Sequence, residues 1–179
     1  MSVVPGQKTW ARAVPLLLIS VGALTPLATI ANDSIHADGP SAVVVKLYKD
    51  FAWEALGSSG ATFGPPLAEQ PRAVLDKYFD GTLASLLIDD AACETRSQGE
   101  ECNLDFNLMF ASQDPSVSDL EIKALGAGHV AVSFKYPSNG ETIRLEYITV
   151  ETRSGSRIKD IIYHGQPDRS LVRILSHKP

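Results

Sequence analysis

The apolar residues of this chain repeat with different periods on either side of the segment between Cys93 and Cys102. Before it, Val44, Leu47, Tyr48, Phe51 and Leu56 recur near helical spacing, which predicts an amphipathic helix beginning near Ser41. Gly57-Ser58-Ser59-Gly60 and Gly64-Pro65-Pro66 end it in a loop. A second helical stretch is expected from Pro71, a residue suited to a first helical turn, through Val74, Leu75, Tyr78, Phe79, Leu83 and Leu87, weakened or kinked at Gly81. After the cysteine segment the pattern alternates. Leu120, Ile122 and Ala124 form one short alternating set and Val130, Val132, Phe134 and Tyr136 another, which predicts strands. Pro137-Ser138-Asn139-Gly140 then signals a turn. In the strand that follows, Ile143, Leu145 and Tyr147 share one face while Ile148 and Val150 share the other, so a bulge or a sheet covered on both sides is expected. Ser154-Gly155-Ser156 turns into a last strand over 157–164, and Leu171, Val172, Ile174 and Leu175 suit a short closing helix.

Two helices followed by a meander of four antiparallel strands is an α+β plan in which the helices cover one face of a curved sheet. Such a half-open cone leaves a cavity. Phe79, Phe110, Phe134, Tyr136, Tyr147 and Ile162 are its expected lining.

The first 31 residues carry Lys8 and Arg12, an apolar run over 13–27 and small residues ending at Ala31, the pattern of a cleaved export signal. The run is shorter than the roughly 20 apolar residues of a membrane-spanning helix and is broken by Pro15 and Pro26. An uncleaved anchor is the rival reading. Residues 32–40 are polar and turn-rich, so a flexible leader is expected there, followed by a single domain over 41–177. Removal of the signal takes the formal net charge from −5 to −7, because Lys8 and Arg12 leave and no carboxylate does. Such a chain repels a phosphate backbone and gains little from an anionic membrane surface, so nucleic acid is not an expected partner. About 148 mature residues suffice for one domain that folds without a metal.

Export makes a bridge between the only two cysteines reasonable, because disulfides persist in oxidising compartments. Eight residues separate Cys93 from Cys102, including Gly99, and closing so short a ring contributes about 2 to 3 kcal/mol by loop entropy. A structural staple is the expected role. Redox catalysis needs closer cysteine spacing, and zinc needs further ligands that no nearby histidine pair supplies.

Tyr48-Lys49-Asp50-Phe51, Tyr78-Phe79, the segment from Leu104-Asp105-Phe106-Asn107 through Phe110-Ala111-Ser112-Gln113-Asp114, and Ile158-Lys159-Asp160-Ile161-Ile162-Tyr163 together resemble the bacterial domain-of-unknown-function 3828 family. The likeness spans roughly residues 41–177. It implies an exported, periplasmic protein with a nuclear-transport-factor-2-like cone fold and brings no established reaction. Leu108 stands where that family usually has proline, and Arg157 where an aromatic residue often opens the last strand.

Asp105, Asn107, Gln113 and Asp114 flank Leu108-Met109-Phe110 and form the densest polar cluster beside apolar residues. Either they line a cavity mouth, or Asp105 and Asp114 act as caps, Asp105 opening the short turn and Asp114 initiating another before Pro115. Asp160 alternates with Ile158 and Ile162, which places it on an apolar strand face. There it is either a buried base with Tyr136 or Tyr147 as proton donor, or a carboxylate held by Arg144, Lys159, Arg157 or a neighbouring backbone group. His36, His129, His164 and His177 show no metal-ligand spacing, and Asp89, Asp90, Glu94, Glu100 and Glu101 lack the regular loop of a calcium site. No cofactor motif is present.

The main expectation is a non-enzymatic binding module whose cavity takes a small apolar ligand or a protein segment, with Asp105, Asn107, Gln113, Asp114, Tyr136, Tyr147 and Asp160 as candidate contacts. The alternatives are an envelope interaction or immunity-type protein that meets a basic partner through its acidic cysteine loop, and a cone-fold enzyme using Asp160. Cleavage after Ala31 predicts that exported material begins at Asn32, read by N-terminal mass mapping; material beginning at Met1 excludes the cleaved signal.

Overall fold

Among the described residues, four α-helices and a five-stranded antiparallel sheet make up the fold, and the sheet order follows the chain order throughout. The computed structural model describes residues 39–56, 63–97 and 102–177, all within a single compact unit. The expected export signal and most of the leader therefore lie outside the described residues. Among the described residues no helix is long and apolar enough to cross a membrane.

Helix α1, Pro40–Phe51, starts on proline and turns Val43, Val44, Leu47, Tyr48 and Phe51 inward. A 3₁₀ turn, Ala52–Ala55, extends it. The second helical stretch is broken in two, α2 at Arg72–Leu75 and α3 at Gly81–Arg96. Its break is a pairing site: Ile158 N–H donates to Tyr78 O at 2.8 Å and Asp80 N–H to Ile158 O at 2.9 Å. Asp80 then caps α3 by accepting from Leu83 N–H at 2.8 Å, so Gly81 begins a helix instead of kinking one.

The sheet runs β1 Ser118–Gly126, β2 His129–Lys135, β3 Thr142–Thr152, β4 Gly155–Tyr163 and β5 Arg169–Ser170, with α4, Leu171–Leu175, closing the chain. Four of these strands match the expected meander. The fifth is a two-residue ladder against Ile162 and Tyr163, in a stretch where the sequence offers too few residues for any strand pattern. The sheet is open at both edges, and α1 crosses one face in contact with β1 through β4. Val130, Val132, Phe134, Leu145, Tyr147, Ile158, Ile161 and Tyr163 are buried on that covered face.

The bulge implied by the face change of β3 is present, with its additional residue on the partner strand. Ile148 pairs with Asp160 and Thr149 with Ile158, which leaves Lys159 over. One added residue reverses the alternation beyond it. Ile158 and Ile161 therefore point into the core, and Asp160 and Ile162 do not share the face of Ile158 as strict alternation suggests.

Cys93, in the last turn but one of α3, is bridged to Cys102, with Cα atoms 6.1 Å apart. Close by, the buried Asp90 carboxylate accepts from Asn103 N–H at 3.0 Å, Asn103 Nδ2 at 2.9 Å and Leu104 N–H at 3.3 Å. Covalent and polar ties thus fix the point at which the chain leaves α3 and turns back toward the sheet.

Gly128, between β1 and β2, is at φ +82, and an added Cβ would lie 2.9 Å from Thr149 O. Gly140 is also left-handed, at φ +72, yet an added Cβ there meets nothing within 4 Å. Gly128→Ala is expected to lower stability by more than about 1 kcal/mol, and by more than Gly140→Ala does, in urea denaturation. Equal losses at the two sites would show that the approach to Thr149 is not felt.

Candidate functional site

Residues 107–112 form a turn that fills the covered face of the sheet. Leu108, Met109 and Phe110 are buried at its tip, and Asn107 and Ser112 pair at its base. Asn107 builds the turn from within. Its Oδ1 accepts from Met109 N–H at 2.9 Å and Phe110 N–H at 3.2 Å, while its Nδ2 donates to the half-buried Glu54. Burial raises the Glu54 carboxyl, opposed by its hydrogen bonds from Leu67 and Asn107.

Tyrosines take the outward carbonyls of this plug. Tyr163 Oη donates to Leu108 O at 3.0 Å, Tyr48 Oη to Met109 O at 2.8 Å, and Tyr136 Oη to Phe110 O at 2.6 Å and Ala111 O at 3.1 Å. Tyr147 completes the group with its hydroxyl 3.0 Å from that of Tyr48. Burial pushes the pKa values of Tyr48, Tyr147 and Tyr163 up, so these phenols stay protonated and able to donate. The rings pack edge to face: Phe110 meets Tyr48 at 5.7 Å and Phe134 at 5.8 Å, and Tyr163 meets Phe106 at 5.1 Å.

The expected cavity lining is thereby redistributed. Phe79, Phe110, Phe134 and Tyr147 are each at most 1 % exposed and form part of the packed core, and Phe110 belongs to the plug itself. Ile162 does not reach this side. Asp160 is held at the edge of the fold: its Oδ1 accepts from Ile161 N–H at 2.8 Å and Val172 N–H at 3.0 Å, and its Oδ2 from Ser170 Oγ at 2.7 Å. Of the arrangements open from sequence, a bond to neighbouring backbone is the one found. None of these bonds joins Asp160 to Tyr136 or Tyr147.

Two clefts flank the plug. On the α3 side a cleft of about 290 Å³ brings together Asp105, Asn107 and Gln113 with Glu69, Asp90 and Glu94 over an apolar floor that includes Leu87 and Phe106. Asp105 is exposed there and the turn's amides go to Asn107 instead. Asp114 lies on the exposed bend before Pro115, outside this lining.

On the other side a cleft of about 400 Å³ opens at the end of the covered face. Ala111, Tyr136, Ile143, Leu145 and Tyr163 supply its wall, and Arg144, Arg169, His164 and Glu141 its polar rim. Arg144 and Arg169 form no ion pair with a described residue. Arg169 lies over the Phe106 ring, 5.1 Å from its centroid. Glu141 Oε2 accepts from Asn139 Nδ2 at 3.2 Å.

Sequence reasoning missed the polar row beside this cleft. Glu146 on β3 receives His129 Nδ1 of β2 at 2.5 Å on one carboxylate oxygen and His164 Nε2, just past β4, at 3.1 Å on the other. His164 Nδ1 in turn meets Asp168 Oδ2 at 3.1 Å, and Asp168 Oδ1 accepts from Gly165 N–H at 2.9 Å. The histidine bonds hold the Glu146 carboxyl below its ordinary range, and the Gly165 amide does the same for Asp168. Among the described residues no group of three such side chains is arranged to hold a metal ion. Antiparallel registry is the signal that could have found this row, since it places residues far apart in sequence side by side.

No protein-family model, curated protein or solved structure matches this chain.

Asn107→Ala removes the one oxygen that accepts two of the turn's N–H groups and leaves the half-buried Glu54 with one donor fewer. A stability loss of about 2 to 3 kcal/mol is expected in chemical denaturation. A change below about 0.5 kcal/mol would mean that the plug is held by the tyrosines alone.

Proposed function

We propose that this chain is an exported, periplasmic binding module of the nuclear-transport-factor-2-like type, with no catalytic role, and that its ligand has an apolar body seated at the mouth of the covered sheet face. The observation that carries this reading is the cleft of about 400 Å³ beside the plug, a volume within the usual range for small-molecule sites. Its wall of Tyr136, Ile143, Leu145 and Tyr163 supplies apolar contact, and each Å² removed from water contributes about 25 cal/mol. The open sheet with a helix across one face supports the cone, and the Cys93–Cys102 bridge supports an oxidising compartment. The plug leaves the centre of that face to side chains, so the ligand belongs at its end.

A second reading is favoured by the cleft of about 290 Å³ on the α3 side, where the exposed Glu69 and Asp105 lie. An envelope partner could there insert a basic side chain. Salt separates the two: a complex built on these carboxylates weakens steeply with ionic strength, whereas seating of an apolar body does not.

Ile143 is half-buried on the cleft wall, so Ile143→Trp fills the space from one side. Binding of the neutral fluorophore N-phenyl-1-naphthylamine is expected to the parent protein and to fall at least about tenfold in the variant, read by fluorescence titration. Equal binding to both would remove the ligand from this cleft.

A further inference from the structure

Resting on the reading of this cleft as a ligand site, we propose that its ligand is an anion, an apolar body bearing a carboxylate, sulfonate or similar group, bound by Arg144 and Arg169 and coupled to protonation of His164.

The donors available to a ligand decide its class. Tyr136 and Tyr163 line the cleft, but their hydroxyls already donate to Phe110, Ala111 and Leu108 carbonyls. Burial also raises their pKa values, so neither adds a negative charge. What remains facing the cleft is Arg144 from β3, Arg169 from β5, His164 after β4 and the neutral amide of Gln166, so the charged donors are all cationic. Two guanidiniums without a carboxylate partner among the described residues, in a chain with 21 acidic side chains against 16 Lys and Arg, form a local reversal of the overall charge. A guanidinium offers paired N–H donors that match an oxyanion. Glu141 is the one carboxylate of the rim, and it accepts from Asn139.

The proton count around His164 gives the coupling. Its two ring nitrogens face two carboxylates, Nε2 to Glu146 Oε2 and Nδ1 to Asp168 Oδ2, each at 3.1 Å. Carboxylates are acceptors only, and a neutral imidazole has one N–H. Both contacts are hydrogen bonds only when His164 is the imidazolium. The other charged groups facing it are His129, which shares Glu146, and Arg144 and Arg169 on the cleft rim. When His164 loses its proton, one of these bonds is lost and the cleft loses a positive charge beside the bound anion. Anion affinity is therefore greater when His164 carries its second proton than when it does not. By linkage, anion binding and the protonated form of His164 favour each other.

The test pairs two probes with one aromatic body, neutral N-phenyl-1-naphthylamine and its permanently charged sulfonate, 8-anilinonaphthalene-1-sulfonate. At about pH 6 the sulfonate is expected to bind the full mature chain at least about fivefold more tightly than the neutral probe, with this preference falling about two- to fivefold by about pH 8. Arg144→Gln, an exposed change, should abolish most of the preference while leaving neutral-probe affinity intact, and Ile143→Trp should weaken both probes. His164→Gln should flatten the pH dependence, whereas His129→Gln, outside the cleft lining, should leave it in place. Equal affinity for the two probes overturns the anion proposal and leaves the cleft standing. A preference that does not change with pH overturns the role of His164. Binding of neither probe, or sulfonate binding that survives Ile143→Trp, removes the cleft itself.

Discussion

Four successive backbone carbonyls, Leu108 through Ala111, end on tyrosine hydroxyls that come from α1 and from the ends of β2 and β4. A turn driven into a core carries its peptide groups with it, and each buried carbonyl left without a donor costs free energy comparable to a lost hydrogen bond. Tyrosine answers that cost in a way that phenylalanine cannot, because its ring belongs to the core while its hydroxyl reaches the plug. Among the described residues no buried side-chain nitrogen or oxygen lacks a partner. The ties at Asp90 and Cys93–Cys102 act upstream of the same element, fixing where the chain enters the plug, so α3, the plug and the sheet are positioned by one chain of contacts.

Filling the middle of the covered face decides where a ligand can go. A plug of Leu108, Met109 and Phe110 supplies the apolar volume that an open cone would leave to a guest, and its flanks become the walls of the two clefts. Phe106 joins them physically: it lies in the lining of the acidic cleft, packs on Tyr163 and carries Arg169 over its ring. Movement of the plug would reach both sites, which makes its fixation by Asn107 a condition for either one to keep its shape.

The helical and alternating periods of the sequence are enough to read α1, β2, β3 and the turn at 137–140, because each presents a long repeat against a single covered face. Four features lay beyond that signal. The helical pattern continues through Asp76–Asp80, yet Tyr78 and Asp80 pair with Ile158, a tertiary bond that no local period reports. The bulge at Lys159 reverses β4, so Asp160 is spent on Ser170 and the start of α4 and not on a cavity. Asp105 reads from sequence as the residue that opens the turn, whereas in the fold Asn107 holds it and Asp105 is left at the surface. His129, Glu146 and His164 are separated by 17 and 18 residues and meet only through strand registry.

Carboxylates outnumber cations in this chain, and the arginines beside the plug nonetheless form no ion pair with a described residue. The reason is what the nearby carboxylates already hold. Asp160 receives two backbone amides and a serine, Asp168 a backbone amide and a histidine, Glu146 two histidines, and Glu141 the side-chain amide of Asn139. An ionised oxygen that caps a chain end or joins two strands makes short, charge-assisted bonds, whereas a pairing with an exposed arginine gains at most about 1 kcal/mol. The acidic side chains are thus drawn into holding the β4–β5 connection and α4 in place. Arg144 and Arg169 are left facing the cleft by the same competition, and a net-negative protein keeps a cationic mouth without any excess of basic residues.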